Sequence, residues 1–200
     1  TALPTIKLQL LFLAGSMKDP KGKEGLAMLT AAMVTRAGST EKKIDEINRA
    51  FFPLAGSFSS QVDKEMTTFT GSIHRDSWNV FSEIALPMLL SPGFRDEDFR
   101  RLKDAQKNAL LVDLEANNEE EFGKERLQGI IFKDTPYAHP SLGTVKGIEA
   151  ITLDDVKTFW KTAYTTGALR LCVAGSVSDA LVVTRPRGPA QPPRTGGFQT

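Results

Sequence analysis

Two β-patterned runs on either side of Asp63-Lys64 constrain this chain more than any other feature in it. Residues 56–62 (GSFSSQV) and 65–73 (EMTTFTGSI) are separated by two polar residues, the spacing of a tight hairpin. A hairpin fixes its two strands as antiparallel neighbours, so the sheet they seed is antiparallel at least there. A third strand is read where Ile6, Leu8, Leu10 and Phe12 alternate with Lys7 and Gln9. Leu11 and Leu13 fill its other face, so its second half is expected to be buried on both sides. Residues 169–174 (LRLCVA) read as a short buried strand, with Cys172 as a small buried hydrophobe.

The remaining patterned segments have helical period. Leu26, Leu29, Ala32, Met33 and Arg36 recur at helical spacing up to Gly38, a natural stop. A second helix is expected from residue 39 or 40 to 52, capped by Thr40 and ended by Pro53. Residues 76–90 carry Trp78, Phe81, Ile84, Ala85, Met88 and Leu89 on one side, ahead of Pro92-Gly93. A long charged helix is expected over 95–117, bending near Asn117-Asn118 and continuing over 119–132. Residues 134–143 read as a loop. Thr152 caps a last helix to Tyr164, with Asp154 and Asp155 in its first turn. Strands and helices segregate rather than alternate, which predicts an α+β fold: an antiparallel sheet with helices packed on it. One domain is expected over 1–183, followed by a Pro/Gly-rich linker or tail over 184–200.

Composition removes several function classes. The 25 basic and 24 acidic residues balance, unlike the basic excess of a nucleic-acid binder. The lone Cys172 excludes an internal disulfide. No apolar run reaches membrane-spanning length, and no signal peptide is visible. The chain opens at Thr1 almost directly into a strand, as a trimmed chain would.

Five blocks in order carry a family resemblance. They are LAGSMKDPKGKEGLAMLTAAM (13–33), GSFSSQVDKEMTTFTGSI (56–73), SEIALPMLLSPGFRDEDFRRLKDAQ (82–106), YAHPSLGTVKGIEAITLDDVKTFWKTAY (137–164) and LRLCVAG (169–175). Together they resemble the first domain of the M16 metallopeptidases, the insulysin, pitrilysin and mitochondrial processing peptidase group. The resemblance implies the LuxS/MPP-like metallohydrolase fold, and a helix carrying the inverted zinc motif H-x-x-E-H.

At that motif the chain departs from the family. Aligning GLAMLTAAM (25–33) with it puts Met28 and Ala32 at the two histidine positions and Ala31 at the catalytic Glu. Residues i and i+4 share a helix face, which is how two imidazoles there would hold one zinc ion. A thioether and a methyl group do not ligate zinc in that way, and Ala31 is no general base. The family's third ligand, a downstream Glu, falls nearest to Asp113, with Glu115 two residues on. These are residual carboxylate candidates, or ordinary surface charges of a helix. No cofactor is expected, the family's zinc included.

Other chemistry is sparse. His74 and His139 lie on different elements and share no ligand spacing. Ser57, Ser59 and Ser60 have no paired histidine nearby and no nucleophile elbow around them.

In the family, substrate is held as an added strand against an edge strand. The resemblance places that strand at Gly56, Ser57, Phe58, Ser59, Ser60, Gln61 and Val62. An uncharged edge can pair with an extended peptide, or be covered by a partner. The expected role is therefore a catalytically inactive domain or subunit that pairs with an active M16 peptidase and helps hold peptide. One alternative is a degenerate peptidase whose active site lies in another domain or partner chain. Another is a purely structural assembly subunit. Expected partners are a homologous M16 domain or active subunit and extended peptides, with no nucleic acid. The isolated chain is expected to self-associate.

Overall fold

The computed structural model describes residues 4–116 and 118–176, without the side chains of residues 113–116. In chain order the elements are β1 (Thr5–Phe12), α1 (Leu26–Arg36), α2 (Ile44–Phe51), β2 (Ser57–Val62), β3 (Thr67–His74) and α3 (Trp78–Leu90). They continue with α4 (Asp96–Asn108), α5 (Glu119–Ile131), α6 (Val145–Ala150), α7 (Leu153–Ala163) and β4 (Leu169–Gly175). A π-helical segment, Ala109–Ala116, joins α4 to α5. The tail expected over 184–200 lies outside the described residues.

All neighbouring strands are antiparallel, in the order β2-β3-β1-β4. The fold is thus α+β with helices on an antiparallel sheet. Register is set by the buried face: Ile6 lies opposite Ile73, Leu10 opposite Phe69, and Leu8 opposite Val173, which packs against the core. A one-residue slip would carry the whole apolar set to the polar face of Lys7 and Gln9. Gly71 is needed beneath α3, because a Cβ there would meet the Phe81 ring at 2.7 Å.

Two apolar clusters fill the space between sheet and helices. One surrounds α1 and joins Leu8, Leu10, Phe12 and Phe69 to Leu102, Val156 and Phe159. The other packs α2 and α3 on Ile6 and Ile73, with the Phe51 and Phe81 rings stacked at 5.4 Å.

Long-range ties reset several expected boundaries. α2 begins at Ile44, not near Thr40. Ser39 bridges Pro92, and the Arg95 guanidinium donates to the carbonyls of Ala37 and Ser39 at 2.8 and 2.6 Å. Those bonds hold residues 37–39 out of helical geometry. The long helix departs from α geometry at Ala109, ahead of the expected bend. The sheet ends at β4 among the described residues, so this strand is not buried. Leu171 is 51% exposed and Cys172 is exposed, for want of a covering element. For the same reason Leu13, just past β1, is exposed rather than buried on a second face.

Candidate functional site

α1 is the most enclosed helix of the fold, packed against β2, α4 and α7. Eight of its eleven residues are buried, and its only less-buried stripe is Met28, Ala32 and Arg36. These follow one another at i, i+4 and i+8, one line along a helix. The two positions that the resemblance would assign to metal-ligating histidines therefore lie on the one partly open line of α1. Ala31 is fully buried within the core cluster. Its carbonyl accepts from the Thr35 hydroxyl at 3.0 Å and from the Ser60 hydroxyl of β2 at 3.3 Å. Met33, five residues on from Met28 and on another face of the helix, is buried in the core.

The N-terminus of α1 is fixed by groups remote in sequence. Gly25 at its start has φ +105°, a left-handed conformation that glycine adopts without strain. Having no side chain, Gly25 caps nothing, and the Asp19 carboxylate takes over. Asp19 accepts from the backbone N–H of Gly25 and of Ala27, both at 2.7 Å, satisfying donors that every helix start leaves unpaired. Burial pushes its carboxyl up to about 6, against the opposing pull of those two N–H groups.

Three further ties close the same point. The Gln106 side-chain amide donates to the carbonyls of Gly25 and Leu142 at 3.0 and 2.7 Å. Thr144 Oγ1 donates to the Glu24 carboxylate at 3.3 Å. Burial opposes ionisation of Glu24, but the Gly22 and Glu24 backbone N–H groups and the Thr144 hydroxyl outweigh it and leave its carboxyl below the ordinary value. Lys23 pairs with Asp155 of α7 at 2.6 Å. Sequence reasoning missed Asp19 and Gln106 as organisers of this helix. Asp19 stands six residues before Gly25, outside any local capping pattern, and Gln106 is brought in only because α4 runs antiparallel along α1.

The donor set at the motif positions does not fit zinc. Met28 and Ala32 supply a thioether and a methyl group, and the α4 side chain facing this end of α1 is the neutral amide of Gln106. Asp113 and Glu115 lie in the π-helical segment, and their side chains are outside what is described. Among the described residues no three His, Cys, Asp or Glu side chains are placed to hold a metal ion. His74 and His139 fall at opposite ends of β3. His74 closes the strand and accepts from Asp76 N–H, whereas the His139 carbonyl accepts from Lys64 in the hairpin turn. Asp19, Glu24, Glu125 and His139 line a cleft of about 1380 Å³ between α5 and residues 134–146.

β2 is an edge of the sheet, paired with β3 alone among the described strands. Ser57, Ser59 and Gln61 are exposed, and Phe58 and Ser60 turn toward the core. Gly56 stands just before the strand. The hairpin turn beyond Val62 is pinned: Ser16 N–H and Met17 N–H donate to the carbonyls of Asp63 and Lys64 at 2.9 and 2.8 Å. Glu65 accepts from the Tyr137 hydroxyl at 2.7 Å. The edge strand is therefore held firmly at one end and along one side, and lies next to α1.

Comparison with known proteins gives a consistent set of relatives. The family model described as insulinase, peptidase family M16, matches residues 3–145. An uncharacterized zinc protease of Rickettsia bellii is 24% identical over 90% of this chain and 43% of its own length. A probable mitochondrial-processing peptidase subunit beta of Arabidopsis thaliana is 21% identical over 85% of the chain and 32% of its own length. Among solved structures, an M16 peptidase inactive domain from Pseudomonas fluorescens superposes with a TM-score of 0.81 at 26% identity, covering 96% of this chain and 48% of that one. Pitrilysin superposes at 0.74 with 16% identity, over 90% of this chain and 19% of its own. The chain thus spans less than half the length of these relatives.

Proposed function

The chain belongs to the insulinase family of peptidases, family M16, and we propose that it is a non-catalytic domain of that family, which holds extended peptide on its edge strand and pairs with a catalytic M16 domain. One observation carries this reading. The helix that would present H-x-x-E-H instead presents Met28 and Ala32 on its open line, with Ala31 sealed in the core. The edge strand beside that helix keeps an uncharged, one-sided edge, which favours peptide addition. Pairing is supported by α5. It buries none of its residues and exposes Leu127, Ile130 and Ile131, with Phe132 just beyond. Apolar surface of this kind marks an interaction face.

The test is hydrolysis of an unstructured peptide by the chain, with and without added zinc. No turnover is expected. Turnover abolished by a chelator would overturn the reading.

A second reading is favoured by the length of the relatives, one of which is named a zinc protease: a degenerate arm of a peptidase whose chemistry lies in another domain. The two separate when the longer parent chain is assayed. Activity there that survives Met28→Ala supports the second reading.

A further inference from the structure

β4 ends the sheet, bonded to β1 alone among the described residues. Bonds at both ends of the pair fix which of its backbone groups face outward. Leu13 N–H donates to the Ala168 carbonyl at 3.3 Å, and Ser176 N–H donates to the Thr5 carbonyl at 3.1 Å. The register between these bonds is uninterrupted, with Gln9 opposite Cys172. Residues that exchange bonds with a neighbouring antiparallel strand alternate with residues that do not. Ala168, Arg170, Cys172 and Ala174 therefore address β1, and Leu169, Leu171 and Val173 turn their N–H and C=O groups to the open side. The Leu169 carbonyl there accepts from the Arg170 guanidinium of its own strand at 3.1 Å. Leu171 and Val173 share the core-side face, where Val173 packs on the core and Leu171 stays 51% exposed. Cys172 is exposed on the other face. Lysine, proline and bulges, which commonly guard a sheet edge, are missing from this strand.

We infer that a second copy of this chain adds to β4, the two β4 strands running antiparallel about a two-fold axis at Cys172. Cys172 is the middle residue of the strand, so this register pairs more of it than any other. The interface is self-complementary, as a two-fold contact must be. Leu171 lies opposite Val173 of the second copy, and these two residues exchange the backbone bonds that each edge leaves open. The same pairing covers the exposed Leu171 side chain with an apolar neighbour. Arg170, the strand's only charge, lies opposite Ala174. An axis at Arg170 would instead oppose two guanidinium groups. The two Cys172 residues meet at a position without mutual backbone bonds, where Cα atoms of antiparallel strands stand about 4.5 Å apart. That is inside the roughly 4.4 to 6.8 Å that a disulfide spans. The thiol therefore reports the register. The pairing is independent of peptide binding at β2, which lies at the opposite edge of the sheet.

The test uses the chain carrying Ile130→Asp and Ile131→Asp, to remove association through α5, with glutathione disulfide as oxidant. Two Cys172 thiols form one S–S bond, and glutathione disulfide accepts their two electrons and two protons to leave as two glutathione thiols. The expected product is a covalent dimer on a non-reducing gel, and the reduced chain and its Cys172→Ser variant should both sediment as dimers. Leu171→Pro removes an outward N–H and spares the bonds to β1, and Leu171→Lys places an ammonium on the edge. Each, checked for native circular dichroism, is expected to slow cross-linking about tenfold. A chain that sediments as a monomer and yields only the mixed disulfide with glutathione would overturn the proposal. Cross-linking at the same rate in both Leu171 variants would reduce it to chance collision of exposed thiols. A dimer whose Cys172 residues never join would place the interface elsewhere. A thiol unreactive in a monomer would make another segment of the chain the occupant of this edge.

Discussion

Ala27, in the first turn of α1, donates its backbone N–H to Oδ1 of Asp19 at 2.7 Å. A carboxylate eight residues upstream thereby does the work of a helix cap. Asp19→Ala removes this bond and the one to Gly25 together, and should destabilise the fold by about 2 kcal/mol, the upper range for losing a cap. Urea unfolding of the two proteins measures it, and a change below a few tenths would show that Asp19 does not hold the helix.

The same carboxyl should give stability a distinctive pH dependence. Its value in the fold is about 6, above the ordinary 3.8, so the folded chain holds this proton more tightly than the unfolded chain. The contribution is fully present below about 4 and lost as pH rises through about 6, at most on the order of 3 kcal/mol. Glu24 and Asp155, whose carboxyls are lowered, act in the opposite sense and lose stability as pH falls. The clean observable is therefore the difference between the native chain and Asp19→Asn. That difference should shift against the native chain between about pH 4 and 7, and a flat difference across this window would refute the assignment.

Metal binding should be absent at the start and only partly recoverable. Dialysis against zinc followed by metal analysis is expected to find no stoichiometric zinc. Met28→His with Ala32→His places two imidazoles on the open line of α1 and should fold normally and bind zinc weakly. Adding Ala31→Glu puts a carboxylate at a fully buried position and should lower stability by several kcal/mol. One tightly held zinc in the unmodified chain, or a triple variant as stable as the double, would contradict this.

Gly143 is a lock on the site rather than a spare loop residue. Its φ is +95°, and an added Cβ would meet the Glu24 carbonyl oxygen at 2.2 Å. Because the obstacle is backbone, it cannot swing aside as a side-chain tip would. Gly143→Ala should cost roughly 3 kcal/mol from clash and strain together. Gly123→Ala, with nothing within 4 Å and sited inside α5, should be neutral or mildly stabilising. Thermal melts of the pair check both.

The exposed side of α5 should drive association of the isolated chain. Ile130 is 74% exposed and Ile131 65%. Light scattering over a concentration series is expected to show self-association, reduced by Ile130→Asp with Ile131→Asp at little cost in stability. A monomer at every concentration would remove α5 as a docking face.

By itself the sequence determined whatever local periodicity and short-range chemistry decide. The short polar break after Val62 specified the β2–β3 hairpin, although the register centres its turn on Lys64-Glu65, one residue beyond the expected Asp63-Lys64 tip. Thr152 and Asp155 specified the start of α7 through a reciprocal cap spanning three residues. The GLAMLTAAM run placed Met28 and Ala32 on one helical line, since that follows from 3.6 residues per turn alone. Tertiary structure decided the rest, because each outcome depends on groups far apart in the chain. Arg95 and Pro92 held residues 37–39 out of α2. The place of β4 at the sheet's edge exposed Cys172, whose apolar neighbours in sequence had suggested burial. Only the packing of β2, α4 and α7 around α1 selected which line of that helix stays partly open, and only the approach of Asp19 and Gln106 fixed its first turn. Apolar spacing reports which residues share a face; what covers that face is a property of the assembled chain.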